Sequence, residues 1–171
     1  MYKIMDDYYL RTVKLEDAAS LYEFSKDKEV TKYLSWEAHK NIEETINVIT
    51  NYYLTKDPKS FVIVNKENIA IGVIDFNVVS RSEYMEIGYF LNPKYHNKGI
   101  MTNAVKKLLE IGFNKLKYEV IAISHIVENI QSKRVIEKVG FKYIKTIDNI
   151  LYKNKNYSLL YYEMKGTDFN E

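Results

Sequence analysis

The stretch from Tyr84 to Leu116 reads as strand, turn and helix, and it restricts the fold more than any other part of the chain. Tyr84-Met85-Glu86-Ile87-Gly88-Tyr89-Phe90-Leu91 is rich in β-branched and aromatic side chains, and Asn92-Pro93 marks its end. A helix is predicted from near Gly99. Ile100, Ala104, Leu108, Ile111 and Leu116 recur at helical spacing, while Asn103, Lys106, Lys107, Glu110 and Lys115 fall between them. The join, Lys94 to Thr102, is polar and has Gly99 at its hinge. A glycine there lets backbone N–H groups approach a ligand closely, and the helix N-terminus adds partial positive charge, a combination suited to phosphate or pyrophosphate. Lys98 would add a full charge. Alternatively, Gly99 only permits the turn, and Asn97 and Lys98 are solvated loop residues. The stretch is neither a Walker A loop, since no Gly-Lys-Ser/Thr follows a spaced first glycine, nor a Rossmann fingerprint, since two of its glycines are missing.

Around this unit the chain reads in order as follows. Tyr8 to Lys14 is a strand, and Glu16-Asp17 opens a helix whose Ala18, Leu21, Tyr22 and Phe24 lie toward one side. Val30 to Leu34 extends that helix or forms a short second one. Ser35 to Lys40 is a connector holding the only tryptophan, Trp36, which either anchors the loop or lines a pocket. Asn41 caps a long helix with Ile42, Ile46, Ile49 and Tyr53 on its buried face. Ser60 to Asn65 and Ile69 to Val78 form a hairpin, and Ser80-Arg81-Ser82 turns into the Tyr84 strand. Glu119 to Val127 is a nearly continuous apolar run, the pattern of a buried strand parallel to the Tyr84 strand. A helix from about Asn129 to Val139 stops at Gly140. Phe141 to Ile147 and Tyr157 to Lys165 close the chain as two strands joined by a polar connection over 148–156. The expected architecture is one α/β domain over residues 1–171, a mixed sheet of about seven strands with helices on both faces and flexible ends at 1–7 and 167–171.

Charge and composition narrow the partners. With 25 Lys and Arg against 23 Asp and Glu, the net charge of +2 advertises neither a nucleic-acid nor a membrane surface. The absence of cysteine excludes disulfides, thiolate zinc sites and a cysteine nucleophile, and fits a reducing cytoplasm. Asp6 and Asp7 stand where a secretory signal needs an apolar run, so a cytoplasmic protein is expected. His39, His96 and His125 show no metal-ligand spacing, and no metal is expected.

Two motifs then carry a resemblance over nearly the whole chain. Glu86-Ile87-Gly88-Tyr89-Phe90-Leu91-Asn92-Pro93 leads into His96-Asn97-Lys98-Gly99-Ile100-Met101-Thr102, and Asn129-Ile130-Gln131-Ser132-Lys133-Arg134-Val135-Ile136-Glu137-Lys138-Val139-Gly140-Phe141 follows. The chain resembles the GNAT superfamily of acetyl-CoA-dependent N-acetyltransferases, and most of all its branch of ribosomal-protein N-terminal acetyltransferases. Leu10-Arg11 through Glu16-Asp17-Ala18 is similar to the opening of that branch. Two positions depart from the superfamily pattern: His96 replaces the usual Gln or Arg, and Met101 replaces a Gly or Ala. The tyrosine that serves many relatives as general acid is Ile136 here, whereas the branch has a serine at the position of Ser132.

The resemblance implies a GNAT fold and acetyl transfer from acetyl-CoA, as cosubstrate, to a primary amine by direct attack in a ternary complex. A protein or peptide α-amine is the implied acceptor. Polyamines, amino acids, aminoglycosides, or a non-catalytic acetyl-CoA sensor are the alternatives. It places pantetheine and the thioester carbonyl near Tyr89 and Leu91, the pyrophosphate at His96, Asn97, Lys98, Gly99, Ile100, Met101 and Thr102, and the cofactor arm at Asn129. Neither nucleic acid nor membrane is an expected partner, and the chain is expected as a monomer or homodimer.

Glu86 and Ser132 are the catalytic candidates. Glu86, flanked by apolar residues, suits a base acting directly or through water, and would otherwise be an outward strand acid paired with a surface cation. Asn129 and Ser132 share a helix face with Val135, Ile136 and Val139. Asn129 would otherwise only cap the helix, and Ser132 would only bond local backbone.

Overall fold

The computed structural model describes residues 1–78 and 84–169. The expected turn at Ser80 to Ser82 and the last two residues of the expected C-terminal tail lie outside them. The strands are β1 (Tyr2–Met5), β2 (Tyr8–Thr12), β3 (Phe61–Asn65), β4 (Ala70–Val78), β5 (Tyr84–Leu91), β6 (Val120–Ile126), β7 (Lys142–Tyr152) and β8 (Lys155–Lys165). The α-helices are α1 (Ala18–Ser25), α2 (Lys28–Thr31), α3 (Ile42–Val48), α4 (Ile100–Glu110) and α5 (Ile130–Val139). The strands hydrogen-bond in the order β1-β2-β3-β4-β5-β6-β8-β7, an eight-stranded mixed sheet. β5 and β6 form its parallel pair, in register from Tyr84↔Val120 to Ile87↔Ile123.

Two expectations about strands need correction. Residues 1–7 are not all a flexible end: Tyr2–Met5 pairs with β2, and the acids that looked like a polar terminus form the turn, with Asp7 at φ 64°. Nor is 148–156 a loop. The polar Asp148-Asn149 pair sits at a register shift between Ile147 and Ile150, with Asn149 at φ 60°. Lys153 and Asn154, at φ 50° and 62°, make a tight two-residue hairpin turn of the kind whose twist matches its flanking strands.

The chain divides into two compact units, Met1–Asp75 with Tyr89–Ala104, and Phe76–Gly88 with Val105–Glu171. In the first, Val13, Ala18, Leu21, Phe24, Ile49, Tyr53, Val62, Val64, Ala70 and Val73 form the core. A buried ion pair braces it: Arg11 donates to both carboxylate oxygens of Asp17 at 2.8 and 2.7 Å, and Asp17 also accepts the Lys14 N–H. Asn41 caps α3 as expected, accepting from Glu44 N–H at 3.0 Å. The buried face of α3 and the π-helical turn that continues it, Ile49–Tyr53, differs from the expected one, because Thr45, Ile49 and Tyr53, spaced by four, point inward and leave Ile46 exposed. Thr45 Oγ1 meets His39 Nδ1 at 2.7 Å, so its hydroxyl is satisfied.

In the second unit alternate residues of β5 and β8 fall in two environments, and β6 follows except at Ala122 and Ile126, which are buried. Met85, Ile87, Ile121, Ile123, His125, Tyr162 and Met164 are buried, whereas Tyr84, Glu86, Ser124, Tyr161 and Glu163 are half-buried. Gly112 lets this core close, since a Cβ there would lie 2.5 Å from Ile121 and 2.9 Å from Phe76.

Candidate active site

The loop between β5 and α4 lies in the first unit. Pro93–Tyr95 makes one 3₁₀ turn, with Asn92 Oδ1 accepting the Lys94 N–H at 3.1 Å. Asn97 at φ 60° and Gly99 at φ 75° are both left-handed, so the chain reverses twice before α4 begins. The first helical bond runs from Asn103 N–H to Gly99 O at 3.1 Å, and the Asn103 side chain donates to the same oxygen at 2.9 Å. The N–H groups of Ile100, Met101 and Thr102 therefore precede any intrahelical acceptor and face outward from the helix end. Ile100 and Met101 bury their side chains, which leaves only their backbone for a ligand.

His96 is engaged by its own strand end and turn. Its backbone N–H is used by Pro93 O at 3.1 Å, and its Nε2 donates to Leu91 O at 3.0 Å. A half-buried imidazole N–H needs an acceptor, and the strand-end carbonyl supplies it, so His96 braces the loop on β5. Leu91 is itself buried beside Gly72, where a Cβ would lie 2.8 Å from Leu91 Cδ1 and from Phe90 O. Lys98 Nζ lies 5.2 Å from the centre of the Tyr95 ring. Trp36 anchors its loop as one of the two readings required: its ring lies 5.2 Å from Phe90 and 5.1 Å from His39, and Phe90 also packs on Phe24. Tyr89 is half-buried on the same strand end.

The second unit holds Glu86, Asn129 and Ser132. Ser124 Oγ donates to Glu86 Oε1 at 2.6 Å. Among the described residues no lysine or arginine pairs with Glu86, so the alternative of a surface ion pair does not hold there. Beside it Tyr161 donates to Tyr84 Oη at 2.8 Å, and Tyr84 donates to Glu163. Burial first, and then these bonds and the Glu163 charge, push the Tyr84 hydroxyl far above its usual range. Burial and the Glu86 charge raise Tyr152 as well. These hydroxyls stay protonated at neutral pH.

Asn129 caps α5, its Oδ1 accepting the Ser132 N–H at 3.2 Å. The cap engages the side-chain oxygen only, so the Asn129 Nδ2 amide remains a donor that can point elsewhere. Ser132 is 8% exposed on the same helix as the fully buried Ile136, and Gly140 ends the helix at φ 97°. Sequence reasoning missed Ser124 and the Tyr84–Tyr161–Glu163 chain. The available signal was Ser124-His125 interrupting an otherwise apolar run.

Residues 8–142 match the family described as the acetyltransferase (GNAT) domain. The chain belongs to the GNAT acetyltransferase family. It is 31% identical over 134 residues, 78% of each chain, to the uncharacterized N-acetyltransferase YnaD of Bacillus subtilis. Among solved structures, a GNAT-family acetyltransferase from Bacillus anthracis matches at a TM-score of 0.88 and 27% identity, covering 98% of this chain and 99% of that one. The microcin C7 self-immunity acetyltransferase MccE, solved with acetyl-CoA and AMP, shares the fold at a TM-score of 0.85 and 23% identity over 95% of this chain and 94% of its own. This GNAT protein is an acetyl-CoA-dependent N-acetyltransferase. Among the described residues no group of three or more His, Cys, Asp or Glu could hold a metal, and no helix is long and apolar enough to cross a membrane.

Proposed function

We propose that the enzyme acetylates the α-amine of a peptide or protein, with Glu86 as base and Ser132 as the donor to the departing sulfur. The observation that carries this reading is the Glu86 carboxylate, held by a serine hydroxyl at 2.6 Å and not spent on a cation of the described chain. The neutral amine attacks the thioester carbonyl and forms the C–N bond. The nitrogen's proton passes to Glu86 directly or through water, the C–S bond breaks, and the thiolate takes a proton or hydrogen bond from Ser132. Asn97, Lys98, Gly99, Ile100, Met101 and Thr102 receive the pyrophosphate through backbone N–H groups and the Lys98 charge. The backbone near Tyr89 and Leu91 takes the pantetheine end by strand-like hydrogen bonding, and Asn129 Nδ2 takes the cofactor arm.

Two arguments favour an α-amine. The Asn129-to-Phe141 motif, with Ser132 present and Ile136 at the position where many relatives have tyrosine, resembles that of the ribosomal-protein N-terminal branch. Chemically, a free α-amine titrates near ~8 and a lysine near ~10.4, so deprotonating lysine at neutral pH costs about 3 kcal/mol more. One carboxylate suits the easier task. A polyamine is the second reading, favoured by the additional carboxylate of Glu163 beside Tyr84 and Tyr161. Thiol release from acetyl-CoA, followed over a panel of N-terminal peptides, spermidine, amino acids and aminoglycosides, tests the choice. Peptides should give the highest kcat/KM, and a polyamine or aminoglycoside turned over far faster than every peptide would reverse it.

A further inference from the structure

The residues on β6 assign a further participant in the reaction. β6 is apolar along most of its length, with Ile121, Ala122, Ile123 and Ile126 buried. A hydroxyl in such a strand costs desolvation unless a partner accepts it. Ser124 has that partner on the neighbouring parallel strand. The register pairs Glu86 with Ala122, so Ser124, two residues on, projects to the same side of the sheet, within diagonal reach of the Glu86 side chain.

We infer that Ser124 is a positioning residue for acetyl transfer, fixing the Glu86 carboxylate by a donated hydrogen bond so that Oε2 is presented to the acceptor. This rests on Glu86 being the base. An O–H···O⁻ bond of 2.6 Å is in the short, charge-assisted range, and it removes the rotational freedom that a glutamate side chain otherwise has. The neighbouring tyrosines do not compete as bases. Tyr161, the cross-strand partner of Ser124 on β8, has its hydroxyl raised by burial, opposed by its hydrogen bond to Tyr84 and supported by the charges of Glu163 and Glu86. Oε1 is thus tied to Ser124, and the proton-accepting oxygen is defined by elimination.

A double-mutant cycle read in kcat at saturating substrates tests the assignment. Ser124→Ala should lower kcat about ten- to a hundred-fold with the KM for acetyl-CoA unchanged, and Ser124→Thr, which keeps the hydroxyl, should recover most of the rate. Ser124→Cys, similar in size but a poor donor, should be slow like the alanine variant, which guards against a packing effect. In a Glu86→Gln background the alanine change should cost less than about twofold, because the carboxylate it positions is gone. Equal losses in both backgrounds, or a wild-type rate for Ser124→Ala with Glu86→Gln slow, would overturn the role of Ser124 and leave the base in place. A wild-type rate for Glu86→Gln alone would overturn the base and the positioning role together.

Discussion

The β5–α4 loop and the half-buried face of β5, β6 and β8 are built on opposite principles. In the loop the side chains are committed to structure. Ile100 and Met101 are buried and His96 is bonded to Leu91 O, so in the proposed role of this loop the phosphate is left to backbone N–H groups and one lysine. On the strand face the backbone is committed to the sheet, and Glu86, Ser124, Tyr84, Tyr161 and Glu163 act through their side chains. A site built from backbone tolerates wide variation in sequence provided its dihedral angles survive. A side-chain site tolerates little.

The largest effect should therefore come from the strand face. Glu86→Gln keeps size and hydrogen bonding to Ser124 but removes the proposed base, and kcat should fall by about 10²-fold or more while CoA affinity by calorimetry stays constant. A loss seen only in affinity would erase the distinction between the two regions. Next comes Ser132→Ala, expected to lower kcat by about ten- to a few hundred-fold with little change in CoA affinity. It discriminates cleanly, because the cap uses the Ser132 backbone N–H and survives the change. If only the KM for acetyl-CoA rose, Ser132 would belong with the cofactor-holding groups.

The loop should respond in the reverse sense. Gly99→Val, or even Gly99→Ala, should weaken CoA binding at least several-fold and leave the chemistry of bound substrate little altered. The reason is conformational: a Cβ at Gly99 would meet only Asn103 Nδ2 at 3.7 Å, an ordinary contact, but φ 75° is strained for any L side chain. Unchanged CoA affinity in a variant folded by circular dichroism would remove this loop as the phosphate site.

This contrast also explains what was legible in the sequence. β5 was readable to the residue, and the Asn41 and Asn129 caps and the Gly140 stop were placed correctly, because strand alternation, capping and left-handed glycine are local rules. β1, the outer half of β7 and the first residues of β8, Lys155 and Asn156, were missed because paired neighbours, and a bulge at Asn149, overrode a polar local sequence. The turn at Gly99, at φ 75°, was readable from one glycine. The Ser124–Glu86 bond was not, since it joins residues 38 positions apart through a parallel register that composition does not encode.

The smallest effect concerns the residue after Ser124. His125 points the other way, into the buried layer, where Nδ1 donates to Ile126 O at 2.8 Å, and Nε2 lies 3.3 Å from Tyr162 Oη, from which it accepts. Burial is the main cause that lowers its pKa; the Ile126 carbonyl and Glu137 oppose the shift, and Lys133 adds to it. The folded state thus resists a proton that the unfolded chain takes up near ~6.5. Below that value the unfolded state binds more protons, so this contribution to stability is complete above it and is lost as pH falls toward the depressed folded value. His39, also lowered by burial, works in the same sense. Melting temperature should therefore drop between neutral and mildly acidic pH, and His125→Gln should flatten that drop while lowering stability at neutral pH. Asp75, raised mainly by burial, titrates in both proteins and cancels in the difference. The same slope in the variant and the parent would show that His125 carries no linked proton, and the functional side of β6 would then differ from its packing side less than adjacent Ser124 and His125 indicate.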